Sequence, residues 1–404
     1  MIAKETRLIR NFVLVASIIL LVQAGIAATI STRGLTSSRK SRAVKESPRA
    51  RRHMSHLARS RRVRTRTVAS LKRHHYYERF YASSYAKDIT EGDATAGEDP
   101  VVRQAAIDAL GNMNGTVLAI EPTSGRVLAM VNQKLALSSG AQPCSTIKLS
   151  VAMAALSERL ITKETQVRLG GRSHMNLTLA LAHSNNQYFE ALGRQLGFEK
   201  VAHYAHMYGL GELAGYHIEG EKAGVYPEEE ISARLGGVGK MCSFGEGISM
   251  TPLQLGSLVT AIANGGTMYY LQHPTTAAEV ANFQPVVKRH LDIAGLIPEI
   301  SDGMAGAVEY GTARRLQVNF KEEEVLGKTG TCSHAGTRFG WFASYANTNY
   351  GRVVVVVFLE GGRPTFGPKA AEIAGHMYRS LYDHDFFVAK PVVPVEMRKA
   401  ASTD

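Results

Sequence analysis

Cysteine and tryptophan are scarce in this chain of 404 residues, which holds three of the first and one of the second. Cys144, Cys242 and Cys332 are too few for a disulfide framework and show no metal-ligand spacing. One disulfide is open to them in an oxidising compartment, but buried free thiols are the expected state. No glycine-rich phosphate loop and no internal repeat occur, which argues against a phosphate-cradling enzyme or a solenoid. His203 and His206 stand three apart without a third ligand, so they read as a helix surface, and no metal or other cofactor is expected.

Charge of one sign is also missing from most of the chain. The formal net charge is +12, yet residues 33–79 alone hold 16 Lys and Arg against Glu46 and Glu78, leaving 31 basic and 33 acidic residues elsewhere. The basicity therefore belongs to one segment and the remainder is close to neutral. Ahead of that segment, residues 12–22 are apolar except for Ser17 and follow Lys4, Arg7 and Arg10. This is a membrane anchor running to about Ile30 or a secretory signal, and either implies export. Residues 1–31 are thus a signal-anchor or signal peptide. Residues 32–99, rich in Ser, Arg and His, read as a basic disordered linker suited to anionic lipid or wall polymers. A folded domain is expected over residues 100–385, and 386–404 form a tail. Nucleic acid is not an expected partner, because an exported arm rarely meets it.

Within the domain, Asn114–Ile120 and Gly125–Val131 read as a hairpin. Residues 325–331, 339–346 and 352–359 read as three more strands, and 370–382 as a closing helix. A hairpin, then helices, then three sequential strands point to an α+β fold, an antiparallel sheet with helices on both faces. Thr251 and Pro252 mark the start of another helix, ending at Asn264-Gly265-Gly266.

The sharpest chemistry lies in Pro143-Cys144-Ser145-Thr146-Ile147-Lys148. The alanine-rich run that follows is too long for a strand and reads as a buried helix. Residues i and i+3 share a helix face, which brings the Ser145 hydroxyl within reach of the Lys148 amine. A serine alcohol is a poor nucleophile until a base takes its proton, and lysine serves as that base only where burial disfavours its charge. Alone, this spacing is common.

It is followed, in order, by Ser184-Asn185-Asn186 and Lys328-Thr329-Gly330-Thr331. The ordered set is that of the penicillin-recognising acyl-serine enzymes, and from Asn114 to Tyr382 the chain resembles the transpeptidase domain of penicillin-binding proteins. Residues 182–189, 244–255, 263–266, Gly311-Thr312-Ala313 and Trp341-Phe342 also resemble stretches of that family. The resemblance implies the β-lactamase/transpeptidase fold. It also implies a serine-type D,D-transpeptidase that cross-links peptidoglycan stem peptides ending in D-Ala-D-Ala and is acylated by β-lactam antibiotics. Ser145, Lys148, Ser184 and Lys328 would be catalytic, with Asn186, Thr329, Gly330 and Thr331 binding substrate. Ser145 and Thr331 would supply the oxyanion-binding N–H groups, and Gly330 would let the ligand come close to its strand. The implied location is the inner membrane, with the catalytic domain outside the cytoplasm and wall-synthesis proteins as partners.

Some features depart from the family. No glycosyltransferase domain or pedestal precedes the domain, so chain polymerisation is not expected. Glu246 stands where glutamine is expected, and Cys144 beside Ser145 resembles serine β-lactamases and related sensors. Two alternatives share the acylation step: hydrolysis, by a D,D-carboxypeptidase or serine β-lactamase, and a β-lactam sensor that does not turn over.

Overall fold

Residues 353–357 are five valines in a row, and each is 0% exposed. A strand sends successive side chains to opposite faces, so this run requires apolar cover on both sides of its sheet. The computed structural model, which describes residues 78–348 and 351–388, supplies that cover.

In chain order, helix α1 (Pro100–Leu110) precedes the hairpin of β1 (Gly115–Glu121) and β2 (Arg126–Val131). A 3-10 turn, Cys144–Ile147, runs straight into α2 (Lys148–Ser157), followed by α3 (Leu177–Ala182), α4 (Asn186–Leu196), α5 (Gly237–Phe244), α6 (Pro252–Asn264) and α7 (Ile297–Glu309). Strands β3 (Glu324–His334), β4 (Thr337–Asn347) and β5 (Val354–Gly361) come next, and α8 (Gly367–Asp383) closes the order. The sheet is antiparallel throughout, in the order β2-β1-β5-β4-β3. The expected α+β architecture is therefore present, and β3 lies at a sheet edge, where alternate backbone groups have no strand partner.

Side-chain alternation divides the core in two. Val354, Val356, Phe358, Leu118, Ile120 and Trp341 face the helices that carry the first two motifs. Val355, Val357, Leu359, Val117 and Phe342 face α1 and α8. On the first side α6 lies against β1, where a Cβ on Gly256 would sit 2.7 Å from Ile120 Cδ1. Its start is fixed by a capping box between Thr251 and Gln254, with Pro252 in the first turn and Gly265 in the left-handed region at its end. Helix α2 is buried at every position from Lys148 to Leu156, which explains why its sequence shows no amphipathic period.

Two expected boundaries move. The domain starts upstream of Pro100, because residues 81–99 are held by polar contacts. Ser84 O accepts from Asn114 N at 2.8 Å, and Ser84 Oγ accepts from Gly362 N at 3.0 Å. Asp93 accepts from Asn132 N and Gln133 N, and Arg103 pairs with both Asp93 (2.9 Å) and Glu98 (2.7 Å). The segment carries few large apolar residues, so hydrophobic patterning gave no sign of it. At the other end, Phe387 is buried in the second core, so the expected tail starts too early. The apolar segment at 12–30, the basic stretch at 32–77 and residues 389–404 lie outside the described residues. Among the described residues no helix is long and apolar enough to cross a membrane.

Candidate active site

The 3-10 turn sets Ser145 at the entrance to α2, 7% exposed, with Lys148 wholly buried behind it. Lys148 Nζ lies 2.9 Å from Ser145 Oγ, as the i, i+3 spacing predicts. Its other neighbours are Ser184 O at 2.9 Å, Ser184 Oγ at 3.1 Å and Asn186 Oδ1 at 2.6 Å. A carbonyl and an amide oxygen can only accept, so the two N–H bonds of a neutral amine are satisfied by Ser184 O and Asn186 Oδ1. The nitrogen lone pair then remains for the Ser145 O–H. Burial, reinforced by the nearby Lys328 charge, holds the Lys148 ammonium well below the usual lysine range, and Glu190 on α4 opposes this in part.

Ser184 and Asn186 reach the site because α3 and α4 are separate helices. Ser184 sits between them at φ 56°, a conformation unusual for a residue with a side chain. Asn185 caps α4 by accepting from Tyr188 N at 2.9 Å. Ser184 is thus released from a capping role and its hydroxyl stands between the two lysines. Lys328 Nζ donates to Ser184 Oγ at 2.8 Å and to Thr329 O at 3.0 Å. Burial alone lowers the Lys328 pKa to about 7.

On β3, alternation sorts the third motif. Lys328, Gly330 and Cys332 face the Ser145 turn. A Cβ on Gly330 would lie 2.9 Å from Pro143 O and 3.2 Å from Thr146 Cγ2. Glycine here is required first by the turn, which differs from the ligand approach expected of it. Thr329 and Thr331 belong to the opposite set. Thr329 Oγ1 donates to Thr312 Oγ1 at 2.6 Å, and Thr331 Oγ1 accepts from Gly367 N at 2.8 Å. Thr331 therefore keeps its O–H free to donate to a further partner, whereas the Thr329 O–H is already given to Thr312. Thr312, within the Gly311-Thr312-Ala313 stretch, also donates its backbone N–H to Ala182 O at 3.1 Å. It therefore ties β3 to the end of α3, a link that sequence reading did not assign.

Other supports were equally silent in the sequence. Cys144 and Cys332 form a disulfide, correcting the expectation of free thiols for this pair; Cys242 is free and buried. The pairing was hidden because partners 188 residues apart leave no local pattern. Gln142 O accepts from Trp341 Nε1 at 3.0 Å, and Gln142 Nε2 donates to Phe244 O and to Glu246 Oε2 at 3.2 Å. That contact gives the departure at Glu246 a structural partner. A cleft of about 940 Å³ lined by Glu91, Lys134, Tyr216 and Phe283 lies elsewhere and holds none of the three motifs. Ser145, Lys148, Ser184 and Lys328 cluster at the β3 edge, and a hydroxyl beside a buried amine is an arrangement suited to acyl transfer.

Comparison with known proteins bears on the domain as a whole. The family model for the penicillin binding protein transpeptidase domain matches residues 115–379. Stage V sporulation protein D of Bacillus subtilis is 27% identical over 315 residues, covering 65% of this chain and 48% of that protein. Peptidoglycan D,D-transpeptidase MrdA of Acinetobacter baumannii is 23% identical over 364 residues, covering 71% of this chain and 54% of that one. The chain thus spans about half the length of these relatives. Among solved structures, penicillin-binding protein A from M. tuberculosis, an imipenem acyl-enzyme complex, superposes with a TM-score of 0.58 at 21% identity. The match covers 70% of this chain and 78% of that one. That likeness establishes the fold.

Proposed function

Since the chain belongs to the penicillin-binding protein transpeptidase domain family, we propose that it is an exported serine D,D-transpeptidase acting on peptidoglycan stem peptides that end in D-Ala-D-Ala. The observation that carries this reading is the buried Lys148 amine 2.9 Å from Ser145 Oγ, with both of its N–H bonds already matched by acceptors. The relatives named peptidoglycan D,D-transpeptidase favour an amine acceptor over water.

Ser145 Oγ attacks the carbonyl of the penultimate D-Ala as its proton passes to Lys148. The oxyanion is held by the N–H groups of Ser145 and Thr331. Collapse breaks the C–N bond, and the proton travels from Lys148 through Ser184 to the leaving D-Ala amine. An acceptor amine on a second stem peptide then attacks the ester. It loses its proton to Lys148, and Ser145 leaves with that proton. Lys328, while charged, attracts the terminal carboxylate, the Thr331 hydroxyl donates to it, Thr329 joins once its O–H turns from Thr312, and Asn186 orients the substrate amide. A β-lactam enters by the same first step, but its ring-opened amine stays tethered. The Cys144–Cys332 bond fits an oxidising space beyond the cytoplasmic membrane, in agreement with the export segment at 12–30. Wall polymer and wall-synthesis proteins are the partners this setting offers.

The test is to incubate the chain with a fluorescent penicillin, then with a D-Ala-D-Ala peptide plus an acceptor amine, and to identify the products by mass spectrometry. A persistent adduct on the peptide carrying Ser145, together with the amide product, is expected. Release of D-Ala with water as the sole acceptor would make it a carboxypeptidase. Rapid loss of the adduct with consumption of the antibiotic would make it a β-lactamase. No adduct from folded protein would end the acyl-serine reading.

A second prediction concerns Gly330. Gly330→Ala places a methyl against Pro143 O, so the Ser145 turn must shift outward from β3. Misplacement by a few tenths of an ångström is expected to slow acylation about tenfold and to destabilise the fold by about 1–3 kcal/mol. Labelling rates beside thermal unfolding would check both, and acylation at the parental rate would show that the turn has slack.

A further inference from the structure

Two half-cystines flank the reacting groups. Cys144 immediately precedes Ser145, and Cys332 immediately follows Thr331. Their bond fastens the Ser145 turn to β3, with Cα atoms 5.4 Å apart. The N–H groups assigned to the oxyanion, those of Ser145 and Thr331, therefore stand on the two elements that the bond joins. An oxyanion hole works only when both donors meet one oxygen at hydrogen-bond distance, so the spacing of these elements is a catalytic variable. Cys144 also has φ 52°, a left-handed conformation that a residue with a side chain keeps only where its surroundings hold it. Turn and sheet are also tied by the Trp341 Nε1 donation to Gln142 O at 3.0 Å, by the close approach of Gly330 to Pro143 and Thr146, and by Ser184 Oγ, which both Lys148 and Lys328 reach.

We propose that the Cys144–Cys332 disulfide is a positioning element of the acylation site, so that reduction by a small dithiol slows acylation of Ser145 in a chain that stays folded. The proposal rests on the acyl-serine reading above. Cys332 is partly exposed whereas Cys144 is fully buried, so an attacking thiolate reaches the Cys332 sulfur. The protein S–S bond breaks, a mixed disulfide forms on Cys332, and Cys144 leaves as a thiolate that takes up a proton. The second thiol of the reagent then displaces Cys332. Two electrons have passed to the protein, two thiols remain, and the reagent has become a cyclic disulfide. Cys242, buried against Gly193 on α4, takes no part.

The experiment uses the full chain and a fluorescent penicillin at increasing concentration, which separates the first-order acylation constant from the binding that precedes it. Oxidised protein, protein reduced with dithiothreitol, and reduced protein re-oxidised with oxidised glutathione are compared. Circular dichroism confirms folding at the assay temperature. The acylation constant is expected to fall roughly tenfold to a hundredfold on reduction, with little change in the half-saturating concentration, and to return on re-oxidation. Cys242→Ala should follow the parent through the cycle, and Cys144→Ala/Cys332→Ala should stay slow in every condition. Acylation of the reduced parent within about twofold of the oxidised rate would overturn the proposal. So would loss of label that occurs only together with loss of the folded signal, since the bond would then serve stability alone. An oxidised chain that never labels Ser145 would defeat the acyl-serine reading itself, and this proposal with it.

Discussion

Lys148→Met is expected to lower penicillin acylation of Ser145 by roughly a thousandfold, the scale of a lost general base, without lowering the thermal midpoint of the protein. Methionine keeps the length and apolar stem of lysine, so α2 remains packed. What disappears is the lone pair 2.9 Å from Ser145 Oγ. Stability should hold because the lysine is a burden to the fold at neutral pH. Its pKa lies well below the usual lysine value, with burial as the first cause. The sign follows from linkage: between the lowered folded pKa and the unfolded value near 10.5, the unfolded chain binds more protons than the native one. The parent therefore gains stability as pH rises through that window, and below it the fold carries the full penalty. Methionine removes that penalty, which offsets the partners left at Ser184 O and Asn186 Oδ1. Label uptake and thermal scans at two pH values would check both parts. A variant that acylates normally would remove Lys148 from the mechanism. One that melts well below its parent would mean that the hydrogen bonds outweigh the desolvation.

The outcome at Lys148 also marks what could be read from the sequence. Ser145 and Lys148 are three residues apart in an apolar run, so helix geometry alone brings them together. The strand set was legible for a similar reason, since valines buried on both faces leave an unbroken apolar run. Ser184 and Lys328 are different: 144 residues separate them, and only the ordered resemblance of three short motifs joined them beforehand. Within Ser184-Asn185-Asn186, residue types could not distinguish the cap from the site, and it took the helix start to assign Asn185 to Tyr188 N. The disulfide, the Thr312 link and the ordering of residues 81–99 escaped for one shared reason. Each depends on polar or covalent partners distant in the chain, and hydrophobic periodicity is blind to such pairs.

The pH dependence of substrate capture should be set by Lys328. Its pKa is lowered from 10.5 to about 7 by burial, so the free protein loses this positive charge as pH rises through neutrality. The mechanism needs a neutral Lys148 beside a charged Lys328, and the Lys328 charge itself helps to lower the Lys148 pKa. The kcat/KM for a peptide ending in a free D-Ala carboxylate is expected to fall above about pH 7, approaching tenfold per pH unit. A bound carboxylate favours the charged lysine, so the matching limb of kcat should lie at higher pH than that of kcat/KM. The contrasting substrate is the same peptide with its C-terminus amidated. It offers no carboxylate for Lys328, so its kcat/KM should be lower near neutrality and should lose the alkaline fall. A parallel decline for acid and amide would assign the limb to another group, because only the acid needs that charge for capture.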